Sequence, residues 1–334
     1  MKRLLFVIGV LLAAAPGCGR EPCATCTEDL PKHRVVLELG GVASRTKVQG
    51  ATDQSESRVG HCILYLFDRS GSMIDCFLSD DGRFDFLVTD RTYDFVAIAN
   101  KRDLPMSGIT KSELMAFKTT LPENADGSFV MAGCLDDHII RSDEKITVEV
   151  SRIVAKVTLS VTTRFPSGSR YGPLRIEDIY LTNVAGENNL SVNDTLPDAS
   201  ALWYNRMDLE TSPSADYPSD LLFAHVGGEL SAVDSLKTCY SFYPYPNSSE
   251  DNRDTDKWGS RRTRLVVRAS LAGKTTYYPV TFDRVRRNTH YHVEMVISGF
   301  GVDHPENNPD DHGSMNLTVS ADPWTAGTTY EVEI

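Results

Sequence analysis

The feature that most constrains this sequence is a recurrence of short alternating apolar runs, closed by turn residues, over most of its length. Residues 61–67 (HCILYLF) and 73–78 flank Asp68-Arg69-Ser70-Gly71-Ser72, the signature of a hairpin. Residues 84–89 and 93–99 follow, rich in aromatic and β-branched side chains that suit a half-buried pleated surface. Further runs predict strands at 146–150, 153–161, 176–183, 239–245, 264–271, 277–282 and 291–297. Only residues 110–118 (TKSELMAFK) read as helix, where Thr110 can cap and Glu113 stands three positions on. Many short strands with at most one short helix predict an all-β chain of packed sandwiches.

The chain has 334 residues, which suggests about two domains. We place their boundary near residue 150, giving one domain over 46–150 and another over 151–334. The formal net charge of −12 argues against a nucleic-acid partner, which would need a basic surface.

The N-terminus predicts export. Lys2 and Arg3 precede the apolar stretch 4–15, too short to span a bilayer, and Ala15-Pro16-Gly17-Cys18 resembles a lipobox. On that reading 1–17 is a signal peptide, Cys18 is acylated and residues 18–45 form a leader held at the outer membrane. An ordinary cleaved signal peptide is the alternative. Six cysteines remain beyond Cys18, in keeping with an oxidising compartment. Cys23 and Cys26 lack a second ligand pair, so a zinc site is disfavoured. Cys62 and Cys76 each stand seven positions from Arg69, so a hairpin centred there sets them opposite, within disulfide reach. Two free buried cysteines are the other outcome, because a one-residue slip points them apart.

Asp68-Arg69-Ser70-Gly71-Ser72 also matches the DxSGS signature of von Willebrand factor A domains, where such oxygens hold Mg²⁺. That fold needs a long helix directly afterwards. Here a second turn, Ser79-Asp80-Asp81-Gly82, follows too soon, so the segment reads as a turn without metal. His290 and His292 could share one strand face, but His304 and His312 fall in a Pro/Asn/Asp loop, and we expect no metal centre. No G-x-S-x-G, H-E-x-x-H or P-loop occurs, which argues against an enzyme and against a cofactor.

The two ends share a pattern. Residues 33–39 (HRVVLEL) put Val35, Leu37 and Leu39 on one strand face; Gly40-Gly41 then breaks the strand and Arg45 follows in a polar stretch. Residues 328–334 (TTYEVEI) put Tyr330, Val332 and Ile334 on one face and carboxylates on the other. One strand could vacate a groove that the other fills, with backbone hydrogen bonds completing the sheet. The alternative is that both are ordinary edge strands of one monomer.

Several phrases, in order, resemble the fimbrillin family, the major subunits of type V pili of Bacteroidia. They are Glu56-Ser57-Arg58-Val59, residues 93–100 (YDFVAIAN), residues 104–108 (LPMSG), residues 129–133 (FVMAG) and Arg152-Ile153-Val154-Ala155-Lys156-Val157. Tyr277-Tyr278-Pro279-Val280, Arg287-Asn288 with Tyr291, residues 297–301 (ISGFG) and Pro323-Trp324 complete the set. The resemblance implies two transthyretin-like β-sandwich domains in a surface fimbrium for adhesion or biofilm formation. It further implies a lipoprotein precursor, a trypsin-like protease cutting after an arginine (here Arg45), loss of the strand bearing Val35, Leu37 and Leu39, and donation of the neighbour's C-terminal strand. Cys23-x-x-Cys26 in a short acidic leader looks more like a fimbrial anchor, which keeps lipid and first strand. A surface glycan-binding lipoprotein is the other competitor, with Trp203-Tyr204 and residues 240–245 as its aromatic candidates.

Overall fold

Alternation of apolar side chains does specify strands here, and the turns between them are built by short polar residues. The structure, a computed structural model, describes residues 31–41, 56–191, 202–207, 219–250, 260–308 and 315–324. In the N-terminal half the strands are β1 (Lys32–Gly40), β2 (Cys62–Phe67), β3 (Met73–Ser79), β4 (Arg83–Thr89) and β5 (Arg91–Ala99). After helix α1 (Lys111–Met115) come β6 (Lys118–Thr120), β7 (Met131–Ile140), β8 (Glu144–Glu149) and β9 (Ser151–Arg152). They form a sheet of order β3-β2-β5-β7-β9 facing a three-stranded sheet of order β4-β1-β8. Phe86 of β4 stacks on Phe77 of β3 with ring centroids 4.6 Å apart, so the two sheets close on an aromatic core.

The C-terminal half begins with β10 (Lys156–Arg164) and β11 (Leu174–Thr182), then short β12 (Val184–Ala185), β13 (Glu187–Asn189) and β14 (Trp203–Tyr204). A single helical turn, α2 (Ser219–Leu222), leads to β15 (Phe223–Leu230), β16 (Val233–Ser235) and β17 (Tyr240–Phe242). The last strands are β18 (Arg264–Leu271), β19 (Lys274–Thr281), β20 (Thr289–Ile297) and β21 (Met315–Pro323). One sheet has order β16-β10-β20-β21, with β17 also on β10, and the other has order β15-β11-β18-β19. The halves touch through β6, which pairs antiparallel with β13, and share one continuous set of buried apolar side chains. No described helix is long and apolar enough to cross a membrane.

Most expected strands are present, and α1 carries the expected capping box between Thr110 and Glu113. Two expectations need correction. The run 153–161 is not one strand: β9 ends at Arg152, residues 153–155 bend, and β10 starts at Lys156. Cys62 and Cys76 are not opposite. Cys62 pairs with Ser79 and Cys76 with Tyr65, and both thiols are free. The cause is a bulge: Phe67 faces Met73 but Leu66 faces Asp75, so Ile74 is an extra residue and the hairpin is not centred on Arg69. An odd offset sends the two side chains to opposite faces of the sheet.

Candidate functional site

β1 is a central strand. It runs antiparallel to β4 and parallel to β8, and among the described residues each of those has no other partner within that sheet. Its alternation supplies the contacts: Val35 and Leu37 are fully buried and Leu39 is half-buried. Val35 lies opposite Phe86, Leu37 opposite Phe84 and Ile146, and Leu39 opposite Val148. All four of these neighbours are buried. Burying one such side chain is worth about 1.5–3 kcal/mol, so the row is a substantial fraction of local stability. Were β1 to leave, β4 and β8 would stand two strand spacings apart, roughly 9–10 Å, across an apolar floor.

Both ends of β1 are fastened by polar contacts. The Arg34 backbone N–H donates to Asp143 at 2.8 Å, and the Arg34 guanidinium donates to both oxygens of Asp85 at 2.8 and 2.5 Å. These bonds from Arg34 hold the Asp85 carboxyl below its usual range. At the other end Leu39 N–H donates to Gly82 O at 3.0 Å, and Gly41 turns the chain away with φ +74°. The left-handed conformation explains why a glycine ends the strand.

A second cluster ties down the segments that follow β1 and β21. Arg152, 2% exposed, donates to Glu56 O at 2.9 Å, Ser57 Oγ at 2.5 Å, Asn288 Oδ1 at 3.2 Å and Trp324 O at 2.9 Å. Its guanidinium sits 4.2 Å from the Trp324 ring centroid, a cation–π arrangement. The Glu56 carboxylate accepts from Lys156 Nζ at 2.9 Å and from Tyr243 OH at 2.6 Å. Glu56, Arg152, Lys156, Asn288 and Trp324 all come from the phrases quoted for the family resemblance, and the fold gathers them at one junction. Tyr243 lies within the aromatic run 240–245, but nothing in that run marks it as a partner of Glu56.

The other sequence candidates resolve as follows. Asp68 Oδ1 accepts from Ser70 N–H at 2.8 Å, Ser70 Oγ at 2.6 Å and Ser72 N–H at 3.0 Å, so the DxSGS carboxylate closes its own turn. Among the described residues no group of three or more His, Cys, Asp or Glu is arranged to hold a metal. His290 and His292 do share a strand face, with ring centroids 3.7 Å apart and both rings in contact with Thr158 Oγ1. Trp203 and Tyr245 are buried, so neither forms part of an exposed aromatic shelf. Burial pushes the Cys62 thiol up to about 12, which makes it inert. Cys18, Arg45, Tyr330, Val332 and Ile334 lie outside the described residues.

No family model matches the sequence, and no curated protein does. Solved structures do match its fold. A fimbrilin (fimA) from Porphyromonas gingivalis W83 superposes with a TM-score of 0.64 at 15% identity, over 88% of this chain and 98% of that one. A candidate cell adhesion protein from Bacteroides eggerthii gives 0.62 at 15% identity, over 88% and 96%. The tip fimbrial protein Mfa3 from Porphyromonas gingivalis, with C-terminal truncation, gives 0.54 at 14% identity, over 88% and 100%.

Proposed function

We propose, from the fold this chain shares with fimbrilins, that it is a structural subunit of a bacterial surface fimbrium, without catalytic activity, that assembles by strand exchange. The observation that carries the reading is β1: a central strand that, among the described residues, alone joins β4 to β8 and is followed by a glycine turn. Such a strand, once cut from the chain behind it, leaves a groove open on both sides. Arg45 is the cleavage site in this reading, reached by a trypsin-like protease after export through acylation at Cys18. The subunit has two sandwich domains that meet near residue 150. The occupant of the groove is the strand 328–334 of a neighbouring subunit, with Tyr330, Val332 and Ile334 replacing Val35, Leu37 and Leu39. Other fimbrial subunits are therefore its partners, and adhesion or biofilm formation is its setting.

The test is a processed, polymerising preparation. Mild trypsin should yield a stable fragment beginning at Thr46, which then forms fibres visible by electron microscopy. Combining Val332→Asp with Ile334→Asp puts two charges into an apolar groove, which is strongly unfavourable without partners, and should abolish fibres while each monomer stays folded. Fibres from that variant at the wild-type rate would sink strand donation. An uncut Arg45 beside other cleaved arginines would instead favour a lipid-retaining anchor.

A further inference from the structure

The outer face of one C-terminal sheet carries a pair of imidazoles that strand exchange does not use. On β20 the inward residues Tyr291 and Val293 are buried, so His290 and His292 point to the opposite face, where both are half-buried. Thr158 of β10 shares that face, between the buried residues Val157 and Leu159, and stands beside His292 in the parallel register. The two rings pack with centroids 3.7 Å apart and planes tilted by 39°. Both aim a nitrogen at one point: His290 Nε2 lies 3.1 Å and His292 Nδ1 3.3 Å from Thr158 Oγ1. The carbonyl oxygen of Tyr291 lies 3.4 Å from the same hydroxyl. A hydroxyl has one proton, so it can donate to only one of these three atoms.

The charges around the pair favour a cation. Asp322 of β21 faces His290 across the ladder, and its Oδ2 lies 3.8 Å from His292 Nε2, the ring nitrogen turned away from Thr158. A carboxylate behind a ligating imidazole is the usual support that fixes the ring's tautomer and raises its basicity. Glu294, two residues along β20, is exposed on the same face of a chain whose net charge is −12. Lys156, the partner of His290 on β10, is neutralised by the Glu56 carboxylate at 2.9 Å.

We propose that His290 Nε2 and His292 Nδ1 chelate one divalent first-row transition ion, with Cu²⁺ preferred over Ni²⁺ and Zn²⁺. Imidazole nitrogen suits these ions rather than Mg²⁺ or Ca²⁺, and Cu²⁺ stands highest in the usual order of affinity. The ion replaces the Thr158 hydroxyl as the common partner of both rings, about 2.0–2.1 Å from each nitrogen. Asp322 accepts from the Nε2–H of His292, and water fills the remaining positions. Two imidazoles fall short of the four ligands of a closed structural site, so this one is open and exchangeable.

The experiment titrates Cu²⁺ into the full, uncut chain with its accessible thiols alkylated, so that they neither bind nor reduce the ion. Calorimetry should show one saturable site, and electron paramagnetic resonance should show hyperfine coupling to two imidazole nitrogens. His292→Gln should weaken binding at least about tenfold, the cost of losing even a supporting contact to a ligand, and should leave one coupled nitrogen. Asp322→Asn should weaken binding less and keep both nitrogens. His225→Gln, on the other C-terminal sheet, should change neither readout. Circular dichroism checks that each variant folds, and the spectrum of the wild-type complex tests the ligand set without any variant. A wild-type spectrum lacking two imidazole nitrogens would overturn the proposal. So would wild-type affinity when His290→Gln is combined with His292→Gln, or Mg²⁺ binding as tight as that of Cu²⁺.

Discussion

β1 and β21 are both nine-residue strands with alternating apolar side chains, and they sit in opposite environments. β1 is paired along both edges, and its inward residues Val35 and Leu37 are fully buried. Among the described residues β21 is paired along one edge, and its inward residues Leu317 and Val319 stay near 40% exposed. Alternation therefore reports which side chains share a face. It does not report what, if anything, covers that face. The difference divides the two strands by role: β1 holds its sheet together from the middle, whereas β21 is the last described strand of its sheet.

The largest effect is expected where segments following both strands meet. Arg152→Ala removes the cation that holds Glu56 O, Ser57, Asn288 and Trp324 O, and leaves several buried acceptors unpaired. Each buried acceptor left unsatisfied costs about 1–3 kcal/mol, so the loss should reach several kcal/mol. Urea unfolding should show that loss, and limited proteolysis should show earlier cutting beyond Trp324 and before Glu56. A loss under about 1 kcal/mol, as for an exposed ion pair, would mean the junction fastens neither end.

A matched pair of truncations measures the contrast directly. Leu37→Ala opens a cavity at a fully buried site and should cost about 2–5 kcal/mol. Leu317→Ala removes a side chain that water already reaches and should cost well under half of that. Equal losses in thermal or urea melts would break the comparison, and would mean that something covers β21 in solution.

Most of the fold was legible in the sequence, and the exceptions have physical causes. β2 to β5 and β18 to β20 announce themselves because local alternation, turns and β-branched residues agree. β7 (MAGCLDDHII) was missed because Asp136 and Asp137 interrupt the pattern, with Asp137 at φ +54° in a bulged strand. β21 was missed because its apolar residues are sparse among polar ones, as suits an exposed strand. At the site, the apolar face of β1 could be read, but its position between β4 and β8 could not. The parallel pairing joins Val35 to Glu144, far away in the chain, and no local spacing encodes such a contact. The Arg152 junction was invisible as a unit for the same reason: its partners lie 95 to 172 residues away. The hairpin register failed on a single extra residue, Ile74.

Hydrogen exchange sharpens the comparison residue by residue. Amides of β1 donate into ladders on both sides and should exchange only with large-scale opening of the N-terminal sheets. Alternate amides of β21 point away from β20 and should exchange quickly, while the others are protected. Uniform protection along β21 would show that its outer edge is occupied in the isolated protein.

The smallest effect concerns pH and the ion pair that fastens β1 to β4. Arg34 donates two hydrogen bonds to Asp85 and lowers its carboxyl below the ordinary value near 3.9. The folded state therefore binds fewer protons at this group than the unfolded state does. The contribution is complete above the unfolded value and disappears as pH falls through the depressed folded one. Both side chains are well exposed, at 62% and 44%, so solvent and salt screen the pair and its effect should be modest. The β21 counterpart is looser, His292 Nε2 lying 3.8 Å from Asp322, beyond a direct hydrogen bond. Asp85→Asn should flatten the acid side of the stability curve, read as the urea midpoint across roughly pH 3 to 6. Arg34→Gln should do the same by restoring the carboxyl to its ordinary value, and raised salt should shrink the difference from wild type. If neither substitution changes the acid slope, the pair does not form in solution, and β1 is held in its sheet by Val35, Leu37 and the backbone ladders alone.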